Sequence, residues 1–460
     1  MERVSIVVGG GISGLVAALL IARRRAGRVV VVEREASVGG LLRCFDYAEH
    51  GLFDYGMHNM YETGIGPLDA LLFGLLPELE WQLLEGNKRD LAGLFYRGRL
   101  QLNSPFPDLR DAPELAAFRK SFAAQSGQAE DASSALAYAR TRFGTPIADA
   151  AIAPAVHKQF RRPAAEMDMM AMQLTSMTRV VLYDDPPFGE MMAASETVRA
   201  RLGFPEQRRL PARFASGRKG YYPKRYGMQR VIDALCTRLR EHGVELMTGC
   251  TVVGVERRGD AIEGLRLSAG SGERRIDGVE RVLWTTGLPA AAPLLGIDLS
   301  RLPFDRPLRT VVVNVLLRQP PRMGDLYYFY CYEPGFRTFR VTNFAAYCEG
   351  APRAGGFPVS VELLLDAEEM ARGDAVARAA HELRSFGVID PGEEFAFARA
   401  EPLLAGFPMP SLRNSASTNA IRDEIRALGL RNFHALGILS TPGLFFQKDV
   451  LAHTYRSLEA

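Results

Sequence analysis

The chain lacks an excess of charge of either sign. Its 460 residues carry 56 Lys+Arg against 53 Asp+Glu, a net of +3. That balance leaves no general electrostatic footprint for nucleic acid and excludes polyanion binding as the main function. Cysteine is sparse. Cys44, Cys236, Cys250, Cys331 and Cys348 include no C-x-x-C pair, so neither a metal site nor a disulfide scaffold is expected, and a reduced, cytoplasmic setting fits best. Long hydrophobic runs are absent too: Leu15–Ala22 is stopped by Arg23 and Arg24, well short of the roughly 20 apolar residues of a membrane span. No basic segment, apolar core and small-residue cleavage site precedes Val4, so no secretory signal is expected. There is no internal repeat and no low-complexity segment. With 47% hydrophobic and 24% charged residues, the composition excludes disorder, collagen and coiled coil for the bulk of the chain. At roughly 100–200 residues per domain, the length predicts two to four structural units.

What is present begins at once. Val4–Val8 reads as a short strand running into Gly9-Gly10-Gly11-Ile12-Ser13-Gly14, then an apolar helix to about residue 25 and a second strand, Val29–Val32, ending at Glu33. This is a βαβ unit with G-x-G-x-x-G at Gly9, Gly11 and Gly14, the turn that cradles a dinucleotide pyrophosphate. Gly9 permits the tight turn, Gly11 lets backbone approach the pyrophosphate, and Gly14 lets helix pack on strand. Ser13 sits in the first helical turn, where free N–H groups and the positive end of the helix dipole favour phosphate. Glu33 lies 19 residues beyond Gly14, placed to accept hydrogen bonds from adenosine ribose hydroxyls and to disfavour a 2′-phosphate. Without a nucleotide, the same glycines would be a structural turn, but strand, glycines, helix, strand and acid in this order point to binding.

Beyond Glu33 come Arg34, the pair Gly39-Gly40 with Leu41, and Phe53-Asp54-Tyr55-Gly56-Met57-His58. A second glycine pair suits a cofactor that continues past the pyrophosphate; alone it would be a surface turn. Together, Glu33, Gly39-Gly40 and Asp54-x-Gly56 resemble the flavoproteins of the amine oxidase and protoporphyrinogen oxidase superfamily. The resemblance implies FAD, a Rossmann-like α/β domain assembled from discontinuous pieces, and flavin contacts from Arg34, Leu41, Gly56, Met57 and His58. It also implies contacts from Val253, Thr286, Gly287, Gly437, Asp449 and Val450. The matching pieces are residues 1–65, 216–290 and 425–460. The second holds an amphipathic helix at about Gln229–His242 and strand-like runs Val244–Met247, Thr251–Glu256 and Ile262–Leu267, followed by Arg281–Trp284, read as a β-meander. The third holds a strand Asn432–Leu436 and a last helix from about Lys448 to Leu458 whose N-terminus, in the related flavoproteins, faces the flavin. Many relatives carry an acid or arginine directly after the glycine; here Ile438 follows Gly437.

Two insertions separate these pieces. Residues 66–215 are mostly helical by periodicity, with helices expected at Leu68–Leu76, Ala112–Ala124, Ala132–Arg142 and Ile147–Gln159. The Leu71–Leu76 stretch reads as buried helix, with peripheral membrane contact as the alternative. Seven methionines between Met167 and Met192 suit core filling better than an adaptable pocket. The arginine-rich Ser195–Lys219 reads as a solvated loop or a lid. Residues 291–424 have strand-like segments Thr310–Leu317, Leu326–Tyr332, Thr338–Phe344, Pro358–Leu365 and Glu394–Glu401, with a helix Asp366–Ser385. They read as an antiparallel-sheet substrate or lid domain.

Within the superfamily the sequence most resembles UDP-galactopyranose mutase-type flavoproteins. The resemblance rests on Tyr55–His58, Phe95–Phe106, His157-Lys158-Gln159-Phe160 with Pro163, and Arg337–Asn343. It implies a substrate diphosphate held by Arg340 and, second, Arg337. The mutase's late tyrosine–proline segment with its nearby acid is missing: Phe407-Pro408-Met409-Pro410-Ser411 has neither tyrosine nor carboxylate. The tryptophan of the mobile arginine loop is missing as well, so the mutase activity is not transferred.

The expected function is therefore an FAD-dependent oxidoreductase acting on a polar small molecule such as a nucleotide sugar. Hydride passes to flavin N5, and His58 is the candidate base because imidazole titrates near neutral pH; a histidine that only orients flavin or packs in the core is the alternative. Three other functions stay open. One is a redox-neutral sugar-nucleotide mutase using reduced flavin as nucleophile, the second an isoprenoid or tetrapyrrole dehydrogenase, and the third a flavin-bearing scaffold without turnover. The sequence does not set the oligomeric state.

Overall fold

A computed structural model describes residues 3–24, 27–85, 91–125, 127, 132–214, 218–270, 272–351, 355–403 and 407–459. By its internal contacts the chain divides into two units, one made of Met1–Leu83, Arg218–Phe304 and Ala416–Ala460, the other of Leu84–Gly217 and Asp305–Ser415.

In the first unit, five parallel strands stand in the order Glu245–Met247, Arg28–Val32, Val4–Val8, Val279–Trp284, Phe433–Ala435. The valine runs explain it. A parallel strand covered on both faces needs a continuous apolar sequence rather than alternation, and Val4–Val8 and Val29–Val32 are buried throughout. One face carries the helix Ile12–Arg23, which packs against Gln229–Glu241 and Gln447–Glu459. It is apolar on all sides because it is enclosed on all sides: Gly14 to Ala22 are buried. The other face packs on an antiparallel meander, Cys250–Arg258, Ala261–Ala269 and Gly272–Asp277. There Val252, Leu265, Leu267 and Ile276 meet Val4, Ile6, Val30 and Val32. The helix expected over Leu68–Leu76 is Gly66–Phe73 and belongs to this unit. Leu68 and Leu72 are fully buried and Leu75 and Leu76 nearly so, which removes most of the apolar surface a membrane contact would use.

The second unit holds a seven-stranded sheet in the order Phe397–Pro402, Arg309–Leu317, Phe357–Leu365, Thr338–Asn343, Tyr328–Cys331, Ala92–Tyr96, Arg99–Gln101. Two differences from expectation stand out. The sheet is not purely antiparallel, because Tyr328–Cys331 pairs in parallel with Ala92–Tyr96. That pairing also joins a hairpin from residues 66–215 to strands from 291–424, so both insertions share one sheet. The hairpin turns at Arg97 and Gly98, both at positive φ (52° and 70°), as a two-residue turn matched to strand twist requires.

The helices expected in this part form at Leu115–Ala123, Ala135–Phe143 and Thr145–Phe160, the last interrupted by a π turn at Ala148–Ile152. The single helix expected over Asp366–Ser385 is instead two, Ala367–Ala371 and Ala375–Ser385; Gly373 sits between them at φ 67°, a conformation that ends a helix. Met167, Met172, Met177 and Met192 are buried core residues, while Met169 is exposed. The Ser195–Lys219 stretch is not simply a solvated loop. It contains the helix Glu196–Arg199, and Arg201 is buried, donating to the carbonyls of Thr197, Phe122 and Arg142. Residues 215–217 of that stretch lie outside the described residues.

Candidate cofactor site

In the first unit the glycine turn is built by close approach. Gly14 has no room for a side chain: a Cβ there would lie 2.0 Å from the carbonyl oxygen of Gly9. Gly9 takes φ 109°, and its Cβ would meet Thr285 Oγ1 at 2.6 Å and Thr286 Cγ2 at 2.9 Å. Gly11 differs, since a Cβ there would meet no protein atom within 4 Å. The absence of a side chain at Gly11 thus opens space that the protein itself does not use. Gly11 caps the helix Ile12–Arg23, and Leu15 N–H is the first to bond back, to Gly11 O at 3.0 Å. The N–H groups of Ile12, Ser13 and Gly14 therefore have no acceptor within the helix. Ser13 is half-buried in that turn.

Glu33 closes the turn from below. One carboxylate oxygen accepts from Gly10 N–H at 2.7 Å and the other from Glu35 N–H at 2.8 Å. Each oxygen keeps a further lone pair, so the acid both shapes the loop and retains acceptor capacity. Arg34 is exposed and paired with Glu35 at 3.1 Å. The second glycine pair is not a separate surface turn. Gly39 N–H bonds Gly10 O at 2.7 Å, and a Cβ on Gly40 would come within 3.2 Å of Gly11 Cα. The two glycine turns are stacked against each other, backbone on backbone.

Gly437 joins them from the last segment. A Cβ there would lie 2.4 Å from Thr285 O and 2.8 Å from Thr286 O. Thr285 Oγ1 in turn lies 2.9 and 3.1 Å from the carbonyls of Val8 and Gly9. Arg422 holds the loop after Gly437 by donating to Leu439 O at 2.9 Å and Ser440 O at 3.0 Å. Gly287 caps the short helix Leu288–Ala291, and Thr286 is exposed. Asp449, half-buried, and Val450, buried, lie in the first turn of the helix Gln447–Glu459.

The same unit leaves several large apolar side chains exposed: Leu41 at 43%, Val253 at 37%, Ile438 at 41% and Phe446 at 41%. Val253 is the extra residue of a β-bulge between Val252 and Gly254, the device that re-aims a side chain out of its strand's alternation.

Gly56 takes φ 99°, Met57 is buried and His58 is half-buried. His58 Nδ1 lies 3.3 Å from Gly56 O. Asp54, fully buried, was missed as a site-building residue. It accepts from Tyr222 Oη at 2.6 Å, Met228 N–H at 3.0 Å and Cys44 Sγ at 2.9 Å, fixing the 54–58 segment to residues 222–228. Thr285, Arg422 and Phe446 were missed as well. Only Asp54 left a sequence signal, in its spacing to Gly56.

Arg337 and Arg340 lie in the second unit, and both are engaged by carboxylates. Arg340 meets Glu362 fork to fork, Nε to Oε1 at 2.7 Å and Nη2 to Oε2 at 3.0 Å. Arg337 pairs with Glu369, which also takes Arg161 at 3.2 Å. Among the described residues no group of His, Cys, Asp or Glu is placed to hold a metal ion, and no helix is long and apolar enough to cross a membrane.

Residues 7–71 match the family model of an NAD(P)-binding Rossmann-like domain. Over its whole length the chain is similar to a structure of reduced UDP-galactopyranose mutase, at 15% identity and TM-score 0.76, covering 100% of this chain and 93% of that one. A putative protoporphyrinogen oxidase from Exiguobacterium sp. 255-15 is similar at 16% identity and TM-score 0.68, covering 99% and 98%. Putrescine oxidase bound to putrescine is similar at 16% identity and TM-score 0.59, covering 100% and 98%.

The chain shares the fold of these three structures, with a Rossmann-like α/β domain at its start. No curated protein sequence matches the chain. Within this fold, the two stacked glycine turns and the Gly437 loop belong to one unit and meet at the C-terminal ends of the parallel strands, where ligands of open α/β sheets bind.

Proposed function

We propose that this chain binds FAD and acts as an oxidoreductase on a polar small molecule. The observation that carries the reading is the space at Gly11, a glycine whose missing side chain leaves room that no protein atom uses, in a unit that also leaves Leu41, Val253, Ile438 and Phe446 exposed. Exposed apolar side chains in the same unit as helix N–H groups that lack an acceptor within the helix fit a cofactor with an apolar ring at one end and phosphates at the other. The first turn of Ile12–Arg23 would hold the pyrophosphate through its N–H groups and dipole. Glu33 would accept from the ribose hydroxyls, while Gly39-Gly40 leaves room for close backbone approach. The 56–58 segment, Val253, Thr286-Gly287 and the 437–450 region would hold the remainder, with the last helix's N-terminus favouring negative charge.

Bound flavin supplies a two-electron acceptor at N5. His58 would take the proton released from the substrate hydroxyl or amine. The two arginines expected to grip a diphosphate are occupied by Glu362 and Glu369, so the substrate is defined here as polar and the diphosphate contact is not assigned to them. A second reading, redox-neutral isomerisation with reduced flavin, is favoured by the likeness to reduced UDP-galactopyranose mutase.

Anaerobic mixing with a panel of sugars, nucleotide sugars and amines tests both. Loss of the oxidised flavin band with one compound is the expected result. Isomer formation only after pre-reduction would select the second reading, and a purified protein without a flavin band that does not take up FAD would overturn both.

A further inference from the structure

The loop between the strand Phe433–Ala435 and the last helix holds a leucine in a conformation that leucine avoids. Leu439 takes φ 57°, the left-handed region in which Cβ crowds the following carbonyl oxygen. The peptide groups on both sides of it are fixed. Before it, Leu439 N–H donates to Leu444 O at 2.7 Å, across a turn at Gly443, itself at φ 75°. After it, Leu439 O and Ser440 O accept from one guanidinium, that of Arg422 in the helix Leu412–Ala427, at 2.9 and 3.0 Å. Arg422 Nη1 donates to Asn419 Oδ1 of its own helix. All three acceptors are uncharged, so the planar fork that would suit a carboxylate is spent on two successive carbonyls. Residues 419–444 belong to the same unit as the glycine turns.

Ile438 stands between this leucine and Gly437, which has no room for a side chain against Thr285 O. Ser440 N–H closes back on Gly437 O at 3.2 Å. Ile438 is 41% exposed, a large apolar residue kept in the open between two fixed neighbours. Backbone strain persists only where the surroundings impose it, and it clusters at functional sites. We infer that Arg422 is a positioning residue for the cofactor: by forcing Leu439 left-handed it sets the 437–440 backbone and presents Ile438 to the flavin. The inference rests on the reading that this unit binds FAD, and adds that affinity is set through the strain at Leu439.

Titration of the apoproteins with FAD, followed by flavin fluorescence, tests it alongside their Tm by circular dichroism. Arg422→Met is expected to bind FAD about tenfold more weakly than wild type, the factor that one left-handed leucine is worth. Adding Leu439→Gly, which frees left-handed backbone of its strain, is expected to restore affinity to within about threefold. Adding Ser440→Gly instead, where φ is not positive, is expected to restore nothing. Unchanged affinity in Arg422→Met overturns the inference. So does a loss that Leu439→Gly fails to restore, or that Ser440→Gly restores as well. A merely structural Arg422 would lower the Tm of the apoprotein and leave the affinity of the folded protein alone. If Arg422→Met does not fold, Arg422→Lys keeps the charge without the fork and is held to the same outcomes. A wild type that takes up no FAD sinks the cofactor reading, and the inference with it.

Discussion

Two glycines of one turn respond to alanine in opposite ways. At Gly14 the new methyl would stand 2.0 Å from Gly9 O, inside any contact the backbone tolerates, so Gly14→Ala is expected to lose several kcal/mol, on the order of a severe core clash, seen as insoluble protein or a lowered Tm. At Gly11 the backbone is at φ −73° and ψ 172°, which alanine adopts without strain, and the methyl meets no protein atom. Gly11→Ala is expected to leave apoprotein stability within about 1 kcal/mol while FAD retention falls at least tenfold, measured by flavin fluorescence on ultrafiltration. Equal retention in both proteins would mean the space at Gly11 holds no cofactor. Asp54 is a third case. With three donors on a buried carboxylate, Asp54→Ala is expected to cost about 3 kcal/mol or more in urea unfolding, since Tyr222 Oη and Met228 N–H each lose a buried acceptor.

Between residue and molecule, pairs of elements carry the charge chemistry. Glu369 caps the helix Ala367–Ala371 through a reciprocal bond with Asp366 and pairs with Arg161 and Arg337. Burial alone would push its carboxyl up, but the Asp366 backbone and the guanidiniums of Arg337 and Arg161 outweigh that and hold it at about 2. A carboxyl depressed in the folded state contributes stability that is fully present above its ordinary value, near 4.5, and lost as pH falls through about 2. Glu369→Gln should therefore be less stable at pH 7 and show a flatter loss of stability between about pH 4.5 and 2, followed by circular dichroism; an unchanged acid profile would remove Glu369 from the account. Elements also show where sequence periodicity stops being informative. Val4–Val8 and Val29–Val32 were legible because a doubly covered parallel strand must be apolar throughout. The break at Gly373 was not, because one glycine is tolerated inside many helices and only the fold decides whether it takes positive φ.

Across the whole molecule, no cysteine among the five is exposed. Burial and the neighbouring Asp54 carboxylate push the Cys44 thiol far up, and burial lifts Cys331 to about 11 despite Lys158 nearby. Groups so raised stay protonated at pH 8, so the native protein is expected to react with a thiol-specific disulfide reagent at least tenfold more slowly than the denatured chain. Rapid labelling of one thiol before unfolding would contradict that environment.

By itself the sequence determined the strands Val4–Val8 and Val29–Val32, the helix apolar on all sides, and the turn at Gly9, Gly11 and Gly14. Each is set by neighbours close in the chain: apolar runs, positive-φ glycines, and an acid at the end of the next strand. The tertiary structure alone decided the contacts between distant segments. It stacked Gly39-Gly40 on the first turn, brought Thr285 and Gly437 together within the same unit, joined both insertions through one parallel strand pair, and closed the fork of Arg340 with Glu362. Residues 340 and 362 lie on consecutive strands, Thr338–Asn343 and Phe357–Leu365, and meet only once those strands pair; no local pattern records which carboxylate a given guanidinium will meet.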